Sequence, residues 1–272
     1  MSWPIFIQTL RSYWVTITIY AASLFGYSML LASMYTIVDN LSGVYTEMFK
    51  AMPEGFLEAF GASNFFEGGL QFESFLSMEH LSLFWVIIVG AFVIGFSARV
   101  LAGEVEQGTV ALVLSQPVTR TKMFLSKFFA GIIGIVVLVF ASICGFLLQA
   151  NLLEFETAPV EGYWLFIFVA ILFFTGLLAV CLMFSSLVNE RGRAMLFGMV
   201  FLALSYVADL FARLQEDWES LQYFSIFHYY GKPDDILTTA SFDDWSLVVL
   251  IGIIVVATAI GLIVWNKRDL AV

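Results

Sequence analysis

Charge is what this sequence has least of. Only 12% of its 272 residues are Asp, Glu, Lys or Arg, whereas 61% are hydrophobic. A soluble domain carries about a quarter charged residues and about half apolar ones, so a single soluble core cannot absorb this excess. Cysteine is nearly absent. Cys144 and Cys181 both fall within apolar runs, with no second Cys or His at ligand spacing. That excludes a disulfide framework and a cysteine metal site, and leaves two small hydrophobes. The two histidines, His80 and His228, stand on separate connections and form no ligand set. Each is expected to face solvent or to be hydrogen-bonded. With 12 basic residues against 22 acidic ones, a net charge of −10, the chain offers no basic surface to a nucleic acid. It also lacks the Gly-x-x-x-x-Gly-Lys-[Ser/Thr] loop that cradles nucleotide phosphates. His-Glu-x-x-His, Gly-x-Ser-x-Gly and a buried carboxylate pair are missing too, which weighs against a membrane-embedded enzyme. Met1 to Leu10 hold no basic leader and no small-residue cleavage site, so no removable signal peptide is expected.

What the chain does have is long apolar runs. Six are of spanning length, at about Trp14–Val38, Leu81–Ala98, Phe128–Gln149, Tyr163–Val188, Ala194–Phe211 and Trp245–Trp265. A helix rises ~1.5 Å per residue, so about 20 residues cross a ~30 Å hydrocarbon core. Lipid leaves only helices and closed barrels able to satisfy the backbone, and these runs do not alternate as barrel strands do. The expectation is an all-α polytopic protein, one transmembrane domain over residues 1–272, with an outer loop over 39–80 and an inner loop over 99–127.

The sparse charges orient the spans. Arg11, Arg99, Arg120, Lys122, Lys127, Arg191, Arg193, Lys267 and Arg268 fall in one set of connections, leaving only Lys50, Arg213 and Lys232 in the other. The basic set comprises both termini and the second and fourth connections, so the positive-inside rule puts the N- and C-termini in the cytoplasm. Arg120, Lys122 and Lys127 are expected at the lipid headgroup boundary. Of the acids, only Glu104, Glu106, Glu190 and Asp269 lie inside. An outer face this acidic suggests a salty exterior and a halophilic source. Trp14, Trp85, Trp164, Trp245 and Trp265 sit near span ends, where indoles favour the interface; Trp85 reads equally as part of its apolar run. Ionisable groups are almost absent at mid-depth, which weighs against a proton-coupled transporter. Asp209 and Arg213, near the outer end of the fifth span, are spaced for an i,i+4 pair. Ala91-x-x-x-Gly95 and Ala130-x-x-x-Gly134 permit close helix approach.

The outer loops differ in kind. Phe56, Leu57 and Phe60 share one helical face and Glu54 and Glu58 another, so Pro53 to Phe60 reads as an amphipathic interfacial helix. The last outer connection, Leu214 to Asp244, carries Phe224, Phe227, Tyr229 and Tyr230 before Gly231-Lys232-Pro233 and is expected to dip into the membrane surface.

The inner loop holds the densest information. Leu101, Val105 and Leu112 repeat at helical spacing, with Glu104 and Gln107 on the opposite face. Gly108 costs about 1 kcal/mol in a helix interior and predicts a break. Pro117 stops the next turn, and Ser115 or Thr119 can cap the helix that follows. The spacing therefore predicts a short helix with a polar face on the inner surface between two spans, or alternatively a plain solvated loop. A short helix joined rigidly to two spans can pass a push from a soluble partner into the membrane.

Glu104-x-Glu106-x-Gly108-Thr109, followed by Leu114-Ser115-x-Pro117-Val118-Thr119-Arg120 and Lys127, resembles the inner loop of ABC-2 type permeases. The ending Trp265-Asn-Lys267-Arg268-Asp269-Leu270 and the outer segment Phe224-Ser-Ile-Phe-His228-Tyr are similar to that family as well. In size the chain is similar to the small permeases of the copper-enzyme maturation (NosY-like) and sodium-efflux types. It departs from them at Val105, where many relatives carry a basic residue between the acids. The resemblance implies the ABC-2 (type V-like) permease fold and a non-catalytic subunit of an ATP-driven transporter, exporting its substrate from a prokaryotic cell membrane. It implies a separate cytoplasmic ATPase in two copies, which binds the ATP and Mg, and a second permease as homodimer or close homologue. It assigns coupling to Gly103, Glu104, Val105, Glu106, Gln107, Gly108, Thr109 and Arg120. Glu190, Arg191 and Arg193 form a second inner contact, or simply a topogenic turn. A non-catalytic scaffold or channel fits the composition too, but leaves the Glu104–Lys127 pattern unexplained.

Overall fold

A computed structural model describes residues 1–40, 71–110, 118–214 and 216–269. The interfacial helix expected over Pro53 to Phe60, Lys50, Leu112, Ser115, Pro117 and Leu270 lie outside the described residues. Six helices are long and apolar enough to cross a membrane. They are α1 (Trp3–Asn40), α3 (Phe84–Ala98, which runs on to Glu106), α4 (Arg120–Leu152), α5 (Val160–Leu187), α6 (Arg191–Leu214) and α8 (Asp244–Lys267). Two short helices, α2 (Phe72–Leu76) and α7 (Pro233–Thr239), complete the set. No strand occurs among the described residues.

The helices outrun the apolar stretches that signal them. α1 begins at Trp3, 11 residues before Trp14, because the one proline within it, Pro4, falls in the first turn where a missing N–H costs nothing. α4 begins at Arg120, capped by Thr119, whose Oγ1 accepts from Lys122 N at 3.3 Å. Asp243 caps α8, accepting from Ser246 N at 2.8 Å and Ser246 Oγ at 2.9 Å. Those hydrogen bonds hold its carboxyl below the usual pKa.

α5 is the central post. It packs against α3, α4, α6, α7 and α8, and most of its length is buried. α1 lies along α4, where Gly145 lets the Phe25 backbone approach and Ser28 Oγ meets Ser142 Oγ at 2.9 Å. Gly134 similarly leaves room for the Phe92 ring. Phe92, Phe146, Phe166, Phe173 and Phe174 fill one continuous apolar core.

Hydrogen bonds define two ends. At one, Ser2 N donates to Ser126 Oγ (2.7 Å), Arg120 reaches the carbonyls at the end of α8, and Arg268 donates to Ser186 O (2.9 Å) and Asn189 Oδ1. The beginnings of α1, α4 and α6 thus meet the ends of α5 and α8. At the opposite end the last part of the 39–80 connection is not a loop. α2 is buried, as are Ser77, His80 and Leu81 of the π-turn over Ser77–Leu81, and the Glu73 carboxylate accepts from Ala158 N and from Tyr163 Oη at 2.8 Å. Ser74 Oγ donates to Asp234 at 3.0 Å, fastening α2 to α7. The 214–244 connection folds back onto this cap: Tyr230 packs on Phe173 with ring centroids 4.6 Å apart and donates to Leu81 O.

Two expectations about single residues are corrected here. His80 neither faces solvent nor is hydrogen-bonded. It is fully buried among Tyr27, Trp85 and Phe146, and neither ring nitrogen has a partner. Burial pushes its pKa down to about 3. Trp85 and Trp265 are fully buried, whereas Trp164 and Trp245 are exposed near helix starts as interfacial indoles should be, and Trp14 is exposed within α1. Asp209 and Arg213 do form their i,i+4 pair, at 2.9 Å.

Candidate functional site

The end of the bundle that gathers both chain ends carries the inner-loop residues. α3 does not stop at Ala98. It passes through a π-turn over Arg99–Gly103 into one further helical turn, Glu104–Glu106. The segment Gly103 to Gln107 is therefore the tip of α3 and not a free-standing helix between two spans. The apolar Val100, Leu101 and Ala102 are buried and hold the turn to the bundle. Gly108 ends it with φ of +69°, a left-handed conformation that favours glycine, while Gly108 N bonds Val105 O at 3.0 Å. Thr109 Oγ1 donates to Glu104 O at 3.2 Å and closes the turn.

The π-turn is gripped from two neighbouring helices. Lys127 of α4 donates to Val100 O and to Glu104 Oε2, and Ser185 Oγ of α5 accepts from Ala102 N at 3.0 Å. The Lys127 side chain is 3% exposed, because the ammonium points inward to a carboxylate and a carbonyl instead of snorkelling outward. An inserted residue interrupts the regular helical ladder, and such turns concentrate at functional positions.

The tip of α3 also meets the start of α6. The Glu106 carboxylate accepts from Arg191 N at 2.8 Å. Arg191 is the first residue of α6, so Glu106 satisfies an orphan donor at the positive end of that helix. Glu106, Gln107, Gly108 and Asn189 to Arg193 are all exposed, with Glu190 paired to Arg193 at 2.9 Å. The two inner segments singled out in the sequence therefore form one continuous exposed platform. Arg120 is engaged elsewhere: its guanidinium donates to Trp265 O and Asn266 O (both 3.4 Å) and to Arg268 O. Lys127, Ser185 and Arg268 are participants the sequence reading did not assign. For Lys127 a signal existed, a lysine placed directly against Phe128-Phe129 in an otherwise apolar helix.

Above the platform, α1, α3 and α6 enclose a cavity of about 730 Å³. One stripe of α3 lines it at four-residue spacing, Leu83, Ile87, Ala91, Gly95 and Arg99. α6 contributes Arg191, Met195, Met199 and Tyr206, and α1 contributes Tyr13, Thr16 and Tyr20. Its walls are mostly apolar, and Ile87 and Met199 leave it open along one side.

The sequence model of the ABC-2 family of transporter proteins matches residues 6–270, nearly the whole chain. This protein belongs to the ABC-2 transporter family. Among the curated proteins compared with it, none matches. As an ABC-2 permease the chain is a multi-pass membrane protein, the transmembrane and non-catalytic component of a transporter that partners with an ABC ATPase. No group of His, Cys, Asp and Glu suited to a metal ion occurs among the described residues.

Proposed function

We propose that this chain couples the movement of a substrate across the membrane, in the direction of export, to ATP hydrolysis on a separate ATPase subunit. The ATPase seats on the platform built from Gly103 to Thr109 and Glu190 to Arg193, and ATP and Mg stay on that subunit. Two ATPases and two permeases make the assembly, with this chain's groove between α1, α3 and α6 forming one wall of the pathway. The platform's end is cytoplasmic, on the evidence of the nine basic residues gathered there. The membrane is the cell membrane of a prokaryote, and the eighteen carboxylates of the other side suit a halophile's exterior.

The single observation carrying this reading is the Glu106–Arg191 hydrogen bond. It makes the tip of the second span and the start of the fifth one mechanical unit, so a push on the platform reaches both helices that line the groove. The test is co-expression of the full chain with its ATPase. Glu106→Lys with Glu190→Lys reverses two exposed charges, and co-purification and ATP-dependent transport are expected to be lost while the thermal midpoint falls by no more than the loss of one helix cap, about 1 kcal/mol, implies. Failure of the unaltered chain to associate with any ATPase, or full activity of the double variant, overturns the reading.

A further inference from the structure

The groove's polar groups are not spread evenly. Leu83, at the start of α3, and Arg99 are sixteen residue steps apart, so the lined stripe is about 24 Å long at ~1.5 Å per residue. Arg99 and Arg191 both line its platform end. Among the described residues neither side chain has a carboxylate within ion-pair distance. The Arg99 guanidinium lies over the Tyr13 ring, 5.8 Å from its centroid, and both arginines act electrostatically on the Tyr13 hydroxyl. The nearest acids are already engaged, Glu104 by Lys127 and Glu106 by the Arg191 main-chain N–H. Beyond Thr16 and Tyr20 the walls offer aliphatic, methionine and aromatic surface, without a further charge.

A volume of 730 Å³ lies within the range of about 300–1,000 Å³ typical of ligand sites. Here the ligand must match a paired positive charge at one end of a long, laterally open apolar slot. The charge calls for an anion that accepts two planar donors, as a phosphodiester does. The slot calls for a hydrocarbon chain, and its open side calls for entry from the bilayer instead of from water.

We infer that the groove between α1, α3 and α6 binds an anionic membrane lipid, its head phosphate on Arg99 and Arg191 and an acyl chain laid along α3 toward Leu83. This rests on the reading of the groove as the wall of the pathway, and it names the class of substrate: an anionic amphiphile taken sideways from the platform-side leaflet.

The test uses the purified full chain without its ATPase, so that its outcome is independent of coupling. Native mass spectrometry reads lipid retained from phosphatidylglycerol, from phosphatidylcholine, and in the presence of inorganic phosphate. Phosphatidylglycerol is expected to be retained and phosphatidylcholine is not. Arg99→Gln with Arg191→Gln is expected to weaken phosphatidylglycerol retention at least about tenfold through loss of charge-assisted contacts. Arg99→Lys with Arg191→Lys keeps the charge and restores most of it. Met199→Trp, which fills the slot and leaves both arginines, is also expected to release the lipid. Equal retention of the two lipids, unchanged retention in the Gln variant, or displacement by inorganic phosphate overturns the inference. So does a cross-link between Cys residues placed at Ile87 and Met199 of two copies that forms equally with phosphatidylglycerol present, since a second copy then fills the slot. Loss of lipid specificity with intact ATPase association removes this inference alone; lipid binding without ATPase association removes only the coupling reading.

Discussion

The ammonium of Lys127 is shared between the Glu104 carboxylate and the Val100 carbonyl, one partner just past the π-turn and one within it. A buried pair of this kind contributes little net stability when whole, because desolvation offsets the attraction. Breaking it from one side is different. Glu104→Ala strands a buried cation and is expected to cost about 3–5 kcal/mol. Glu104→Gln with Lys127→Met, which removes both charges, is expected to recover most of that. Thermal unfolding of the unaltered chain, Glu104→Gln, Lys127→Met and the double variant in one detergent measures the coupling; additive losses would sink the argument.

Glu106 acts through a single hydrogen bond to the start of α6. Its replacement by Ala is expected to cost about 1 kcal/mol, the ordinary value of a lost helix cap. The effect should be local: amide exchange speeds up over Arg191 to Ala194 and stays unchanged in α5.

His80 makes the fold sensitive to acid. Its folded pKa is about 3 against an ordinary 6.5, so the folded chain binds fewer protons than the unfolded one between those values. Its contribution is therefore complete above pH 6.5 and declines as the pH falls. Between pH 6.5 and 5 the expected loss is about 2 kcal/mol. His80→Phe is expected to flatten the fall in thermal midpoint over that window; a parallel fall in both proteins would show that other groups are responsible.

Gly162 sits where α5 meets α7, and a Cβ there would lie 2.0 Å from Leu237 O. Gly162→Ala is expected to cost about 1–3 kcal/mol or more, as overpacking against unyielding backbone does. Gly26 offers the contrast, since a Cβ there meets nothing within 4 Å. Gly26→Ala is expected to leave stability unchanged or to raise it by about 0.5–1 kcal/mol. Midpoints measured side by side decide whether the cap formed by α7 is held as tightly as the geometry requires.

The spans were legible because hydrocarbon demands length, and six apolar runs have no other use in a chain this short of charge. The break at Gly108 was legible because only a glycine is at ease at its φ. Helix ends were not, since an apolar run marks the thickness of the lipid and says nothing of a helix continuing through the headgroups, as α1 does from Trp3 past Arg11. The burial of Lys127 was not legible for a different reason. Its direction depends on the rotational phase of α3, and the π-turn at Arg99–Gly103 shifts that phase by a residue, so no periodicity in the sequence places Glu104 opposite it. His80 and Glu73 were read as loop residues because their segment is too short and too polar to signal a helix. What buries them is the arrival of Tyr163, Tyr27 and Phe146 from distant parts of the chain.

Arg268 deserves a mechanical reading. It holds Ser186 and Asn189 with its side chain while its own carbonyl is held by Arg120. Three helices, α4, α5 and α8, are thereby pinned at one corner beside the turn that starts α6. A load applied at Glu190 to Arg193 has a fulcrum there. α3 and α6 stand outside that corner: α3 is tied to it through Lys127 and Ser185, and α6 is tied to α3 through Glu106.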